Sequence, residues 1–116
     1  MPDKIILVKY FFSLYISGML EKEIEKYFVW TVERAGGITY KFKSPTQRGV
    51  SDRIACMRDG STWFVELKRP KGGKLSPLQV IFRDNVLDLH QKYALLNSKE
   101  MIDEWINTQA VSRRSG

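Results

Sequence analysis

Gly49-Val50-Ser51-Asp52 stands before one apolar run, and Phe64-Val65-Glu66-Leu67-Lys68 closes the next. Asp59-Gly60 lies between the runs and reads as a tight reversal, so the stretch is a β-hairpin with its charged residues gathered at one end. Register decides whether those charges meet. If only Asp59 and Gly60 formed the loop, Arg53 would oppose Glu66 and Asp52 would point to the other face. A three-residue loop, Asp59 to Ser61, pairs Asp52 with Lys68 and Ile54 with Glu66, and places Asp52, Glu66 and Lys68 on one face. Such loops are common in hairpins, so this register, or a bulge of equal effect, is the expected one. Ile54, Cys56 and Phe64 share that face. Ala55, Met57, Trp63, Val65 and Leu67 lie on the other. Both faces are largely apolar, which predicts a sheet covered on both sides and makes Cys56 a core residue.

Two carboxylates and an ammonium in a partly buried cluster are costly unless they are paired or bind a metal. All-oxygen ligation suits Mg²⁺ or Mn²⁺. Such an ion polarises a phosphate and lowers the pKa of a bound water, and a lysine beside it can orient that water or stabilise charge in the transition state. A Glu-x-Lys alone is weak support, since it also occurs as an ordinary surface pair.

The whole chain sets bounds. Its 116 residues suit a single domain. The net charge of +6 and the pI near 9.6 favour a polyanionic partner. Cys56 is the lone cysteine, which excludes an internal disulfide and a cysteine-rich zinc site. His90 is the lone histidine, near the end of an expected helix, so Ser-His or Cys-His catalysis is disfavoured.

Residues 1–18 form an apolar extension. The run Ile5 to Leu20 contains Lys9 and is short for a membrane span, and no good cleavage pattern makes it a secretory signal. The expectation is an intracellular, cytoplasmic protein with no membrane attachment. Residues 21–35 read as a helix with Ile24, Phe28, Thr31, Val32 and Ala35 on its apolar stripe and Gly36-Gly37 as its stop. Ile38 to Lys43 alternates, with Ile38, Tyr40 and Phe42 on the side expected to be buried. Lys43, Gln47 and Arg48 then make a basic lip before Asp52, suited to phosphates, and Gly49 permits a close backbone approach. After the hairpin, Pro70 ends the strand, and Arg69, Lys71 and Lys74 lie on or beside a glycine-containing loop suited to phosphate contacts without sequence specificity.

Ser76-Pro77 opens a second helix as N-cap and first helical residue, with Leu78, Ile81, Phe82, Val86 and Leu89 as its expected buried face. Tyr93 to Leu96 is a short strand, expected to pair parallel through a crossover. Ser98 caps a last helix over about 99–108, with Met101, Ile102, Trp105 and Ile106 inward. Trp105 at that spacing is a core residue rather than a base-stacking platform. Residues 109–116 are expected to fray. Helix, antiparallel strands, helix, strand and helix in that order predict an α/β fold: a central mixed sheet, three strands antiparallel and one parallel, with helices on both faces.

Gly-Val-x-Asp, then Phe-Val-Glu-Leu-Lys-Arg-Pro, then Gly-Gly-Lys-Leu-Ser-Pro-Leu-Gln resembles the VRR-NUC nucleases, the virus-type replication–repair modules of the PD-(D/E)xK superfamily. The resemblance runs from about Met19 to about Ile106, and a nuclease domain over 19–108 follows from it. Ser51 stands where the family usually has proline. The superfamily's restriction-endonuclease-like fold agrees with the layering read from the residues. The resemblance implies a metal-dependent endonuclease in which Asp52 and Glu66 bind Mg²⁺ or Mn²⁺ with the carbonyl of Leu67. It implies a first-helix glutamate facing the metal, best matched by Glu21 with Glu25 as the alternative. It gives Lys68 the nucleophilic water, with Gln79 assisting. It also implies a homodimer of phage or prophage type that cuts four-way or other branched DNA, because two active sites related by a twofold axis suit that substrate. Two other readings stay open at this point: a non-catalytic basic module binding structured DNA, and a nuclease acting on flaps, linear duplex or RNA.

Overall fold

The computed structural model describes residues 21–44 and 46–110. Residues 21–34 form helix α1, whose turns place Ile24, Phe28, Thr31 and Val32 on one buried stripe. It stops as expected. Gly36 takes φ +86°, and the amides of Gly36 and Gly37 donate to the carbonyls of Glu33 and Val32, closing the last turn with a left-handed residue.

Strands β1 (Ile38–Lys41), β2 (Arg53–Cys56), β3 (Thr62–Leu67) and β4 (Lys92–Leu96) form one four-stranded sheet in the order β1-β2-β3-β4. The first three are antiparallel neighbours and β4 runs parallel to β3. Helix α2 (Pro77–Asp88) makes the β3-to-β4 connection, and α3 (Lys99–Trp105) runs on into a π-helical turn, Ile106–Ala110. This is the α/β fold that the strand and helix order predicts.

The hairpin register differs from the expected one. Ile54 pairs with Phe64 and Cys56 with Thr62, so the loop is Arg58-Asp59-Gly60 rather than Asp59 to Ser61. The Gly60 amide donates to Met57 O, Met57 N donates to Ser61 O, and Gly60 takes φ +90°. That is a type I turn followed by a left-handed glycine, the usual three-residue hairpin connection. Asp59 stabilises it by accepting from the Ser61 amide and hydroxyl. The shift moves each partner by two residues, and a side-chain period of two leaves every residue on its expected face.

One face of the sheet builds the core. Ala55, Met57, Trp63, Val65 and Leu67 pack with Ile24, Phe28 and Val32 of α1, with Ile102 and Trp105 of α3, and with Ile106. Trp105 touches Phe28 and meets Trp63 edge-on, so it is a core residue as expected. Met101 is exposed rather than inward.

The other face departs from expectation. No residue of α2 is fully buried, and Leu78, Ile81 and Leu89 are exposed. The contact with the sheet runs through Phe82, edge-on to Phe64, and along β4. The register puts Ile38 opposite Cys56 and Tyr40 opposite Ile54, on the α2 side but beyond its contacts with β3 and β4. Ile38 and Tyr40 are therefore 53% and 59% exposed, and Cys56 is exposed rather than core. The apolar extension over residues 1–18 and most of the tail, 111–116, lie outside the described residues.

Candidate active site

The hairpin register brings Asp52 level with Glu66, one step beyond the last ladder pair, Arg53 with Val65. Asp52 Oδ2 accepts from the Leu67 amide at 3.1 Å, which holds that carboxylate at the end of β3. Glu66 is 1% exposed. Its Oε1 accepts from Gln79 Nε2 at 2.8 Å and lies 3.7 Å from Lys68 Nζ. Asp52, Glu66, Lys68 and Gln79 thus form one connected cluster, although Lys68 meets Glu66 and not, as the expected register had it, Asp52.

Burial pushes the Glu66 carboxyl up to about 8. The hydrogen bond and negative charge of Asp52 add to the rise, and the Lys68 charge opposes it. Two carboxylates this close in a buried place disfavour each other's charge, and Lys68 offsets that only in part. Burial also pushes the Tyr93 hydroxyl up to about 12, with the Glu66 charge as a second cause, which places Tyr93 of β4 in the field of the same acid.

Two cavities flank Asp52. One, about 480 Å³, is lined by Glu21, Lys22, Glu25, Lys41, Asp52 and Leu67. The other, about 430 Å³, is bounded by Lys43, Gln47 and Arg48 together with Gly49 and Asp52. Three of the residues expected to hold phosphates therefore border the acid directly. Arg69, Lys71 and Lys74 are exposed on the loop after β3. Glu21 and Glu25 share the first cavity, but Glu25 is engaged by Arg53, with Oε2 and Nε 3.7 Å apart. Among the described residues no three His, Cys, Asp or Glu side chains converge tightly enough to hold a metal ion. The residues that could hold Mg²⁺ or Mn²⁺ are Asp52 and Glu66 through their carboxylates, with Leu67 through its carbonyl.

The second motif is carried to the first by a close backbone contact. Gly49 takes φ +83°, and a Cβ there would lie 2.5 Å from the backbone carbon and oxygen of Leu78. A side chain would separate the loop bearing Asp52 from the first turn of α2, which bears Gln79. Ser51 is fully buried behind that loop.

Sequence reasoning missed Arg53 and Tyr93. Arg53 is on the core side of β2, so its partner Glu25 depends on where α1 crosses the sheet. Tyr93 reaches the acid only through the parallel β3–β4 register, which pairs it with Phe64. Neither carries a local signal. Gln79 also caps α2 by accepting from the Ser76 N–H, and that role did carry a signal, since Ser-x-x-Gln is a capping-box pattern.

No family model matches the chain. It is 40% identical over 81 residues to "Putative nuclease p44" of Acyrthosiphon pisum secondary endosymbiont phage 1, an alignment spanning 70% of this chain and 86% of that protein. A solved structure of a VRR_NUC domain superposes with a TM-score of 0.74 at 23% identity, over 78% of this chain and 97% of that one. Hairpin acids, Glu-x-Lys and capped glutamine lie on this shared VRR_NUC fold, and the chain belongs to the family of that phage nuclease.

Proposed function

We propose that this nuclease is a Mg²⁺- or Mn²⁺-dependent endonuclease that hydrolyses phosphodiester bonds in branched DNA, four-way junctions above all. The observation that carries the reading is the buried Glu66 beside Asp52, with Lys68 and Gln79 both directed at its Oε1. Asp52, Glu66 and the Leu67 carbonyl would hold the ion, with Glu21 reaching it through water from the shared cavity. When bound, the ion would supply electrophilic stabilisation of the phosphate and a more acidic water.

The chain's own groups divide the remaining work. Lys68 Nζ orients the attacking water and offsets negative charge gathering on the phosphate oxygens. Gln79 Nε2 holds Glu66 in one rotamer. Lys43, Gln47 and Arg48 bind the backbone beside the cut, and Arg69, Lys71 and Lys74 bind it farther along. The +6 net charge supports a nucleic-acid substrate. A homodimer is supported by Ile38, Tyr40, Leu78, Ile81 and Leu89, large apolar side chains exposed on and around the α2 side of the sheet. A second copy covering them would supply the paired sites that a four-way junction requires.

The test is cleavage of a labelled four-way junction beside a linear duplex of the same sequence, with Mg²⁺, Mn²⁺ or EDTA. Metal-dependent paired cuts in the junction alone support the whole reading. Equal cutting of both substrates keeps the metal-dependent nuclease and discards the junction. Cutting that persists in EDTA overturns the metal.

A further inference from the structure

Gln79 uses both ends of its side-chain amide. Nε2 donates to Glu66 Oε1, and Oε1 accepts from the backbone N–H of Ser76, each at 2.8 Å. The second bond is one arm of a capping box. The other arm runs from the Gln79 amide to Ser76 Oγ at 3.2 Å. A glutamine amide has a donor end and an acceptor end of nearly equal shape, and a free one can present either. Here the N–H of Ser76 demands the oxygen, so the nitrogen faces the acid. Reversal would set a carbonyl against the Glu66 carboxylate and an NH₂ against an N–H, losing both bonds.

The turn that carries this lock is itself held. Pro77 fixes the first helical residue, and Gly49 seats the Asp52 loop against Leu78. We propose that the backbone N–H of Ser76 is a positioning group for the reaction: it fixes the Gln79 amide so that the helix cap orients Glu66. The proposal rests on the nuclease reading above and adds to it a residue that touches neither substrate nor the reacting atoms.

Two substitutions separate the N–H from the hydroxyl. Ser76→Ala removes Oγ and keeps the N–H. Ser76→Pro removes both, and the backbone already suits proline, with φ −69° and ψ 162°. Both variants lose the hydroxyl arm of the cap, so Ser76→Ala controls for helix stability. In junction cleavage with Mg²⁺, Ser76→Pro is expected to lower kcat about tenfold or more below Ser76→Ala, with KM for DNA unchanged, as loss of an outer-shell partner does. Equal kcat in the two variants overturns the proposal.

A second measurement does not depend on the variants folding. In wild-type protein with ¹⁵N-labelled serine, the backbone N–H of Ser76 should exchange with solvent more slowly than an unbonded amide in the same local sequence, because Gln79 Oε1 accepts from it. Equal exchange overturns the lock. An inactive wild type would count against the metal-dependent nuclease reading alone, because the exchange measurement still decides whether Ser76 fixes the amide.

Discussion

The two faces of the sheet follow opposite rules. On the α1 and α3 side, Ala55, Met57, Trp63, Val65 and Leu67 are buried by helices from both ends of the described chain, with Arg53 at the end of the same face. On the α2 side, the same strands present Ile54, Cys56, Phe64 and Glu66, and α2 covers them incompletely. The first face gains stability by removing apolar surface from water. The second buries a carboxylate beside another carboxylate, which costs stability unless something binds there. Because strand side chains alternate, a single hairpin serves both faces, and a substitution at one residue should affect folding or chemistry according to its parity.

The largest effect expected on this contrast is on the core face. Phe28→Ala removes a fully buried ring packed on Trp105 and should cost about 3–5 kcal/mol in denaturant unfolding. Phe82→Ala, on half-covered α2, should cost only about 1–2 kcal/mol. Equal losses would erase the distinction between the faces. Next comes Lys68→Ala, which should lower nuclease activity about 10²–10³-fold while leaving the thermal midpoint nearly unchanged. A large loss of stability with it would make Lys68 a structural residue.

Gly49→Ala sharpens the link between loop and helix. The left-handed backbone alone should cost about 1–2 kcal/mol, and the clash with Leu78 should add a loss of activity by moving Gln79. Activity at the wild-type level would show that the loop and α2 are independent. The smallest effect is expected for Arg48→Ala, which should weaken DNA binding and reduce the slope of log affinity against log salt by about one ion. An unchanged slope would remove Arg48 from the phosphate contacts.

The sheet was legible because its signals are local and redundant. Asp59-Gly60 marks the reversal, and the period of two preserved each residue's face even though the loop proved to be Arg58 to Gly60. Caps were equally clear at Gly36-Gly37 and at Ser76-Pro77. What periodicity could not give was coverage. The stripe of Leu78, Ile81 and Leu89 shows that α2 is amphipathic, but not that nothing in the described chain buries it. The same gap left Cys56, Ile38 and Tyr40 exposed where burial was expected. At the site, Asp52, Glu66, Lys68 and Gln79 were readable as a motif and do come together. Whether Glu21 or Glu25 turns to the acid could not be read, because the Arg53 ion pair that engages Glu25 depends on how α1 crosses β2.

Glu66 offers the most direct test. Its pKa rises on folding from about 4.5 to about 8, so the native state binds more protons than the unfolded chain between those values. Stability without metal should therefore be full below about pH 4.5 and fall as pH rises toward about 8. The measurement is the thermal midpoint of wild type and Glu66→Gln at pH 5 and pH 8, in EDTA and with Mg²⁺. Similar midpoints are expected at pH 5, with a more stable variant at pH 8 in EDTA. Mg²⁺ should raise only the wild-type midpoint, and the variant should not cut. A variant less stable than wild type at pH 8 in EDTA would contradict the account, because Glu66 would then be holding the fold together rather than being held by it.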